Sequence, residues 1–293
     1  MNARAVFPTH RFVVAVAFAM SSLSVAQAAD LHVMISGGLA AAYAELVPQY
    51  ERASGNHVIT ARGPSMGETP EAIPNRLERG EPADVLIMVD DALDGLIAKG
   101  VAVPGSRVDL AKSSIAMAVK FGAPKPDISS VDAFRKTLID AKSIAYSDSA
   151  SGVYLERVLI PKIDSEGKIQ SHSRMIPAEP VGQVVARGEA ELGFQQKSEL
   201  QPVKGIDIVG LIPDELQKVT VFVAGIAAKS TQPDAARDFI KFLTSRDAAA
   251  AIYKSGMDPV SATVTKSLPS GELVKPPQGA EMTKPPVSAT TGK

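Results

Sequence analysis

Three short segments rich in serine and glycine carry the residues best suited to binding a ligand. They are Ser36-Gly37-Gly38, Ser65-Met66-Gly67 and the longer run from Ser147 through Ser149 and Ser151 to Gly152. Glycine lets backbone N–H groups approach a ligand closely, and serine adds a hydroxyl donor. Each segment precedes a predicted helix, whose N-terminus carries a partial positive charge. Together they predict a cradle for an oxyanion or a carboxylate, although any one of them alone is also typical of a helix cap.

Arginine is the second feature that suits an anion, since its guanidinium group can clamp a carboxylate. Arg62 precedes the second segment and is the best-placed arginine of the chain, whereas Arg187 is more typical of a helix end.

Several other kinds of site lack their signatures. The chain has no cysteine, which excludes disulfides, thiolate metal sites and a cysteine nucleophile. The histidines show no metal-ligand spacing, and no nucleotide-binding or hydrolase motif occurs. With 31 basic and 32 acidic residues, the chain also lacks the basic excess of nucleic-acid-binding domains. We therefore expect no metal, no cofactor and no nucleic-acid partner.

Both ends of the chain differ from the body. Residues 1–29 combine arginines, a short apolar run and an Ala-x-Ala pattern, which predicts a signal peptide that is removed on export to the periplasm. Residues 261–293 are rich in proline, lysine and serine and predict a disordered tail. The body, residues 30–260, carries a formal charge of −5, so an anion must be held there by local donors.

Within the body, short β-branched runs alternate with helical patterns. Predicted strands include 31–35, 58–60, 85–89, 115–119, 143–146, 192–194, 206–211 and 219–226, and predicted helices include 39–52, 73–79, 91–99, 131–140, 154–160, 181–187 and 233–244. Pro48 should interrupt the first helix and Pro161 should stop a later one. This order predicts an α/β fold of mostly parallel sheets flanked by helices, with ligands at the carboxyl ends of the strands.

Three motifs resemble those of the periplasmic molybdate-binding-protein (ModA-like) family of type II solute-binding proteins. They are Arg79–Ile87, Ser151–Tyr154 and Gly188–Phe194, and the likeness spans residues 30–256. It implies two lobes with a ligand cleft between them. Lobe I would comprise 30–110 and 224–260, and lobe II 111–223, with crossings near 108–113 and 223–225. It also implies a monomer that captures a small polyanion for an inner-membrane ABC permease.

The resemblance also assigns residues to the site. The family's first serine falls at or beside Gly38, with Ser36 the nearest hydroxyl, and its second falls on Ser65. Donors from lobe II fall near Ser151 and Val181. The family's tyrosine falls on Gln196, beside Gln195. Glutamine both donates and accepts, which suits a larger, mixed ligand better than a tetrahedral oxyanion.

The same lineage includes an exported aconitate isomerase, which the segments at 36–38 and 64–67 and the pair Gln195-Gln196 also resemble. That reaction moves a proton between allylic carbons and needs an acid or base near the substrate. The candidates are Ser36, Ser65, Asp148, Tyr154 and His57, although an unassisted serine has far too high a pKa. Capture of an oxyanion or a di- or tricarboxylate is therefore the leading hypothesis, with the isomerase as the alternative. In either case Ser65→Ala should weaken ligand binding.

Overall fold

The computed structural model describes residues 28–177 and 179–260, in which strands and helices alternate. The strands are β1 Asp30–Ile35, β2 His57–Arg62, β3 Val85–Val89, β4 Val108–Ser113, β5 Ile115–Lys120, β6 Ile144–Ser147, β7 Ser173–Ile176, β8 Leu192–Gln196, β9 Ile206–Leu211, β10 Thr220–Ile226 and β11 Asp258–Pro259. The helices are α1 Ala40–Ser54, α2 Ile73–Glu78, α3 Asp90–Ala98, α4 Val131–Asp140, α5 Ala150–Tyr154, α6 Ile160–Ile163, α7 Val181–Arg187, α8 Lys197–Leu200, α9 Pro233–Leu243 and α10 Arg246–Lys254.

The strands form two separate sheets. The first has the order β11-β4-β10-β3-β1-β2 and the second the order β7-β6-β8-β5-β9. We call the first sheet and its helices lobe I and the second sheet and its helices lobe II. The predicted two-lobed α/β class is confirmed. The sheets themselves are mixed rather than mostly parallel, because β3, β1 and β2 run parallel while β10 and β4 pair antiparallel. In lobe II, β5 likewise pairs antiparallel with β8 and β9.

Burial on both faces explains the continuous apolar run of β3. Val85, Ile87 and Val89 pack into the core on one face of the lobe I sheet, where α1, α9 and α10 lie. Leu86 and Met88 pack into the core on the other face, with α2 and α3. A strand covered by helices on both faces needs apolar side chains at every position, which is why this segment does not alternate.

The chain passes between the lobes twice. It leaves lobe I at Ser114, between β4 and β5, and returns in the segment between Leu211 and Thr220. The sequence placed these crossings near 108–113 and 223–225. Because β4 and β10 pair with each other, both strands stay in lobe I. The lobe bounds taken from the sequence stay a prediction.

Two prolines were predicted to interrupt or stop helices, and neither does so. Pro48 lies within α1, which runs from Ala40 to Ser54 without interruption. It lies on the exposed face, where water can replace the hydrogen bond that proline cannot make. Pro161 does not stop the helix either, because helical backbone continues from α5 through a π-helical turn at Leu155–Leu159 into α6, which contains Pro161.

The described residues leave out most of both predicted ends. The signal peptide assigned to 1–29 and the tail assigned to 261–293 lie outside them, apart from residues 28 and 29. Among the described helices, none has the length and apolar character needed to cross a membrane.

A buried carboxylate ties the segments of lobe I together. Asp84 is 2% exposed and accepts hydrogen bonds from the His32 N–H at 2.8 Å, the Ser230 hydroxyl at 2.7 Å, and the N–H groups of Thr231 and Gln232 at 2.9 and 3.1 Å. Desolvation raises the pKa of Asp84, but these hydrogen bonds outweigh it and hold the pKa below its usual value. This residue of the Arg79–Ile87 motif therefore joins β1 to the loop that starts α9.

Candidate functional site

A cavity of about 650 Å³ lies between the lobes at the carboxyl ends of the strands. Its walls are the loops after β1 and β2 and the start of α1 in lobe I, and the segments after β6, β7 and β8 in lobe II. Its lining comprises Ile35, Ser36, Gly37, Ala40, Ala41, Ala44, Arg62, Gly63, Pro64, Glu71, Ser147, Asp148, Ser149, Glu179, Pro180, Gln183, Gln195, Ser198, Glu199, Pro202 and Val203. Seven residues assigned to the site from the sequence line it: Ser36, Gly37, Arg62, Ser147, Asp148, Ser149 and Gln195.

Two buried hydroxyl groups reach the cavity from opposite lobes. Ser36 follows β1 and is 2% exposed, and Ser198 lies in α8 and is 1% exposed. Neither Oγ has a hydrogen-bond partner among the described residues. A buried hydroxyl without a partner is costly, and a ligand that supplies an acceptor would remove that cost. The two serines are therefore well suited to hold the same ligand from both sides.

Glu199 is an acidic residue of the cavity wall whose carboxyl group is desolvated. It lies three residues after Gln196, which precedes α8, and its carboxylate accepts hydrogen bonds from the Gln196 N–H and from the Gln195 side-chain amide. Desolvation raises the pKa of Glu199 to about 7, these hydrogen bonds oppose the rise, and the nearby Asp148 adds to it. A carboxyl group with this pKa can both accept and donate a proton near neutral pH.

Gln195 fixes the position of that carboxylate. Its Oε1 accepts the Val181 N–H at 3.0 Å, so its amide nitrogen is left to donate to Glu199. Gln195 is 5% exposed and belongs to β8, which makes it a rigid support. Val181, which the sequence assigned as a ligand donor, thus gives its N–H to Gln195.

Gly37 is where Glu199 of lobe II meets lobe I. A Cβ atom at Gly37 would lie 2.0 Å from Glu199 Oε1, so any side chain there would displace the carboxylate. From the sequence, this glycine was predicted to let the backbone approach a ligand closely. In the fold, the group that approaches it is a carboxyl group of the opposite lobe.

Three predicted residues of the serine-rich loops lie behind the cavity wall. Ser65 is fully buried, and its Oγ accepts the Val89 N–H at 3.1 Å. Ser151 Oγ is hydrogen-bonded to Ser147 Oγ at 3.1 Å. Gly152 packs against the Ser147 backbone, where a Cβ atom would lie 1.6 Å from the carbonyl oxygen. None of the three belongs to the wall formed by the described residues, and their role as ligand contacts stays a prediction.

Gln196 and two acid/base candidates also point elsewhere. The Gln196 amide donates to Thr220 Oγ1 at 3.0 Å, and neither residue is in the cavity lining formed by the described residues. The Tyr154 hydroxyl donates to the Leu216 carbonyl at 2.9 Å, and burial raises its pKa. His57 lies at the start of β2, the opposite end of the sheet from the cavity.

Gly38 and Met66 pack into lobe I. A Cβ atom at Gly38 would lie 2.1 Å from the Phe222 ring, so this glycine makes room for an aromatic side chain. Met66 packs against the same core.

The charges of the cavity wall are mostly negative. Within the described lining, Arg62 is the one basic residue, whereas Glu71, Asp148, Glu179 and Glu199 are acidic. Glu179 is paired with Arg187, whose Nη1 lies 2.6 Å from its Oε1. In the described residues, no group of three or more His, Asp or Glu side chains could hold a metal ion. An anionic ligand must therefore rely on Arg62, hydroxyls and backbone N–H groups.

Sequence reasoning missed Ser198 and Glu199, although one signal for Glu199 was available. A glutamate three residues after the end of a strand often accepts the first free N–H of the next helix. Its desolvation could not be foreseen, because Gly37, which lies against it, is 162 positions away in the chain.

Replacing Ser36 and Ser65 with alanine should affect the unliganded protein differently. Ser36→Ala removes a buried hydroxyl without a partner, so the free energy of unfolding should stay the same or rise. Ser65→Ala leaves the Val89 N–H without an acceptor and should cost about 1 to 3 kcal/mol. Unfolding of both variants in denaturant measures the difference. An equal loss in Ser36→Ala would show that its hydroxyl already has a partner.

Comparisons with known proteins agree with this geometry. A family model described as bacterial extracellular solute-binding protein matches residues 31–258. An aconitate isomerase from a Pseudomonas species is 58% identical over 232 residues, which cover 79% of this chain and 88% of that protein. The molybdate-binding protein ModA of Azotobacter vinelandii is 27% identical over 199 residues, covering 66% of this chain and 75% of that protein.

The solved structure of the Azotobacter vinelandii periplasmic molybdate-binding protein has the same fold. It superposes with a TM-score of 0.60 at 22% identity and covers 78% of this chain and 98% of that one. The resemblance inferred from the sequence motifs is thereby confirmed. Because the family model spans nearly all of the described residues, the chain belongs to the bacterial extracellular solute-binding proteins, in the ModA-like lineage that includes aconitate isomerase.

Proposed function

We propose that this protein holds a tricarboxylate between its lobes and interconverts trans- and cis-aconitate. The observation that carries the proposal is the cavity, which combines room for an organic ligand with unpartnered hydroxyls from both lobes and a carboxyl group of raised pKa. The 58% identity to an aconitate isomerase supports it. Membership of an extracellular family means that the protein works outside the cytoplasm. We place it in the periplasm as a monomer, exported by the predicted signal peptide.

The size of the cavity favours a tricarboxylate over a compact oxyanion. At about 650 Å³ it falls within the range of pockets that hold organic ligands, roughly 300 to 1,000 Å³. A tetrahedral oxyanion would leave much of that space to water. Gln195 and the two serines offer donors spread over both lobes, which suits several separate carboxylates.

The isomerisation requires three features of the cavity. A base must take a proton from the methylene carbon, donors must hold the carboxylates where negative charge builds up, and water must be kept from the intermediate. Ser36, Ser198 and Arg62 are positioned to hold carboxylates. The lobes already touch at Gly37 and Glu199, so a ligand bound beside them would contact both lobes.

Incubation with each isomer tests the proposal. Purified protein should convert trans-aconitate to cis-aconitate, and the reverse, until chromatography gives the same mixture from both starting points. Ser36→Ala should weaken substrate binding about tenfold, since it removes a donor to a charged group. Absence of turnover in both directions, with wild-type protein that binds trans-aconitate, would exclude the isomerase.

Capture of a small polyanion for an importer is the second candidate. The molybdate-binding relative and the family itself favour it. In this case the partner is an inner-membrane ABC permease, and the ligand is released unchanged. A rise in melting temperature on adding molybdate, together with no isomerisation of aconitate, would support this candidate.

A further inference from the structure

We infer that the Glu199 carboxyl group carries the proton between the two allylic carbons of the substrate, and that Gln195 is the residue that positions it. This inference rests on the proposed function. It begins from the place of Glu199 in the cavity wall, where its carboxylate reaches from α8 of lobe II to the backbone of Gly37 in lobe I. A substrate enclosed between the lobes would therefore lie beside this group.

The other acidic side chains of the wall are less suited to the task. Glu179 is held by Arg187, which lowers its pKa, so it is a poor proton acceptor. Glu71 is exposed at the edge of the cavity. Asp148 lies in the same wall and acts on Glu199 by raising its pKa.

The helices and strands that pack against α8 bring few charged side chains close to Glu199. Beside the cavity, α1 presents Ala40, Ala41 and Ala44. The charged residue Glu45 of the same helix pairs with Lys254 at 2.9 Å. Lys120 ends β5 and is exposed.

The remaining charges come from the cavity itself and from α7. Arg187 ends α7, where Glu179 and Glu189 hold it. Across the cavity stand Arg62, Glu71 and Asp148. Burial is thus the main cause of the raised pKa of Glu199, and Asp148 is a lesser one. At neutral pH both protonation states are populated, as a group that takes and returns a proton requires.

The proposed step needs only this one group. The Glu199 carboxylate takes a proton from the methylene carbon, and the electron pair of that C–H bond forms the new C=C bond. The electrons of the former C=C bond move to its far carbon, which takes the proton back from the Glu199 carboxylic acid. No oxidant, metal or second substrate enters, and Glu199 ends in its starting state.

The substitution Glu199→Gln tests whether Glu199 transfers the proton or only supports the structure. In the full chain, it should lower the rate of isomerisation about a hundredfold or more, the usual contribution of a general acid–base group. Trans-aconitate should still raise the melting temperature of this variant, so the loss of rate would not come from a loss of substrate binding. Glu78→Gln, an exposed glutamate of α2, is the matched control and should keep the wild-type rate.

The pH dependence of kcat/KM gives an independent test. It can be measured on the wild-type protein, so it does not require a variant to fold. For wild-type protein, kcat/KM should rise through an inflection near pH 7, because the base must be ionised. Gln195→Ala removes a hydrogen bond that lowers the pKa of Glu199, so it should move the inflection to higher pH and lower kcat more than it raises KM.

The outcomes distinguish this inference from the proposed function. If wild-type protein isomerises aconitate while Glu199→Gln keeps more than about a third of that rate, the inference is wrong and the function stands. The inference is also wrong if the active wild-type enzyme has no inflection between about pH 6 and 8. If wild-type protein does not isomerise aconitate at all, the proposed function itself fails.

Discussion

Asp84→Ala should lower the free energy of unfolding by about 3 to 5 kcal/mol. The substitution leaves the backbone N–H groups of His32, Thr231 and Gln232 and the Ser230 hydroxyl without the buried carboxylate that accepts their hydrogen bonds. These groups belong to β1 and to the loop before α9, so the return segment of lobe I should lose its attachment to the sheet. Denaturant unfolding at pH 7, followed by circular dichroism, measures the loss.

Asp127→Ala is the matched control for this change. Asp127 is exposed, and its carboxylate accepts a hydrogen bond from the Ser129 N–H, which water can replace. We expect its loss to stay within about 1 kcal/mol. Similar losses in the two variants would mean that burial of Asp84 and its set of donors is not what makes it important.

The same carboxylate should make stability depend on pH in the acid range. Because the folded-state pKa of Asp84 lies below its usual value, its ionised form stabilises the fold above the unfolded-state pKa of about 4. This contribution is lost as the pH falls through the folded-state pKa. The stability difference between wild type and Asp84→Asn should therefore shrink between about pH 4 and pH 2.

Gly152→Ala should destabilise lobe II by several kcal/mol and abolish ligand binding. The added Cβ atom would lie 1.6 Å from the Ser147 carbonyl oxygen and 2.6 Å from its carbon. Both atoms belong to the backbone, so no rotamer change relieves the clash and the loop after β6 must move. Ser147, Asp148 and Ser149 of that loop line the cavity. Denaturant unfolding and the melting-temperature shift with trans-aconitate test the two effects.

Gly95→Ala provides a control with the opposite expected sign. Gly95 lies inside α3, and apart from its chain neighbours and the nearby helix backbone, no atom of the described residues lies within 4 Å of an added Cβ. Alanine is a better helix former, so this variant should gain up to about 1 kcal/mol. If Gly152→Ala were as stable as Gly95→Ala, the loop would have to tolerate a side chain that the present geometry does not admit.

Local sequence patterns predicted most elements of the described fold. The runs at 31–35 and 85–89 became β1 and β3, and the apolar spacing after Pro233 became α9. These segments are predictable because strand and helix periodicity depends on neighbours close in the chain. β4 was not recognised as a strand, since its Val108–Ser113 segment mixes charged and apolar residues. It is held in place by pairing with β10 and β11, which are distant in sequence.

The direction in which each site residue points was much less predictable. Ser36 and Ser65 look alike in sequence, each following a strand and preceding glycine-rich turns. In the fold, Ser36 lines the cavity and its Oγ has no partner among the residues that the structure describes, while Ser65 Oγ accepts the Val89 N–H behind the wall. Gln195 and Gln196 are neighbours on β8, where successive side chains face opposite sides, so only one of them reaches the cavity.

The sequence by itself determined the two-lobed α/β class, the family, and the serine and glycine loops at the carboxyl ends of the strands. These follow from periodicity and short motifs, which depend on residues close together in the chain. Only the tertiary structure decided that Glu199 is a desolvated carboxyl group and that Gly37 makes room for it. A pKa depends on burial and on nearby charges, and here those come from the opposite lobe and from loops distant in sequence.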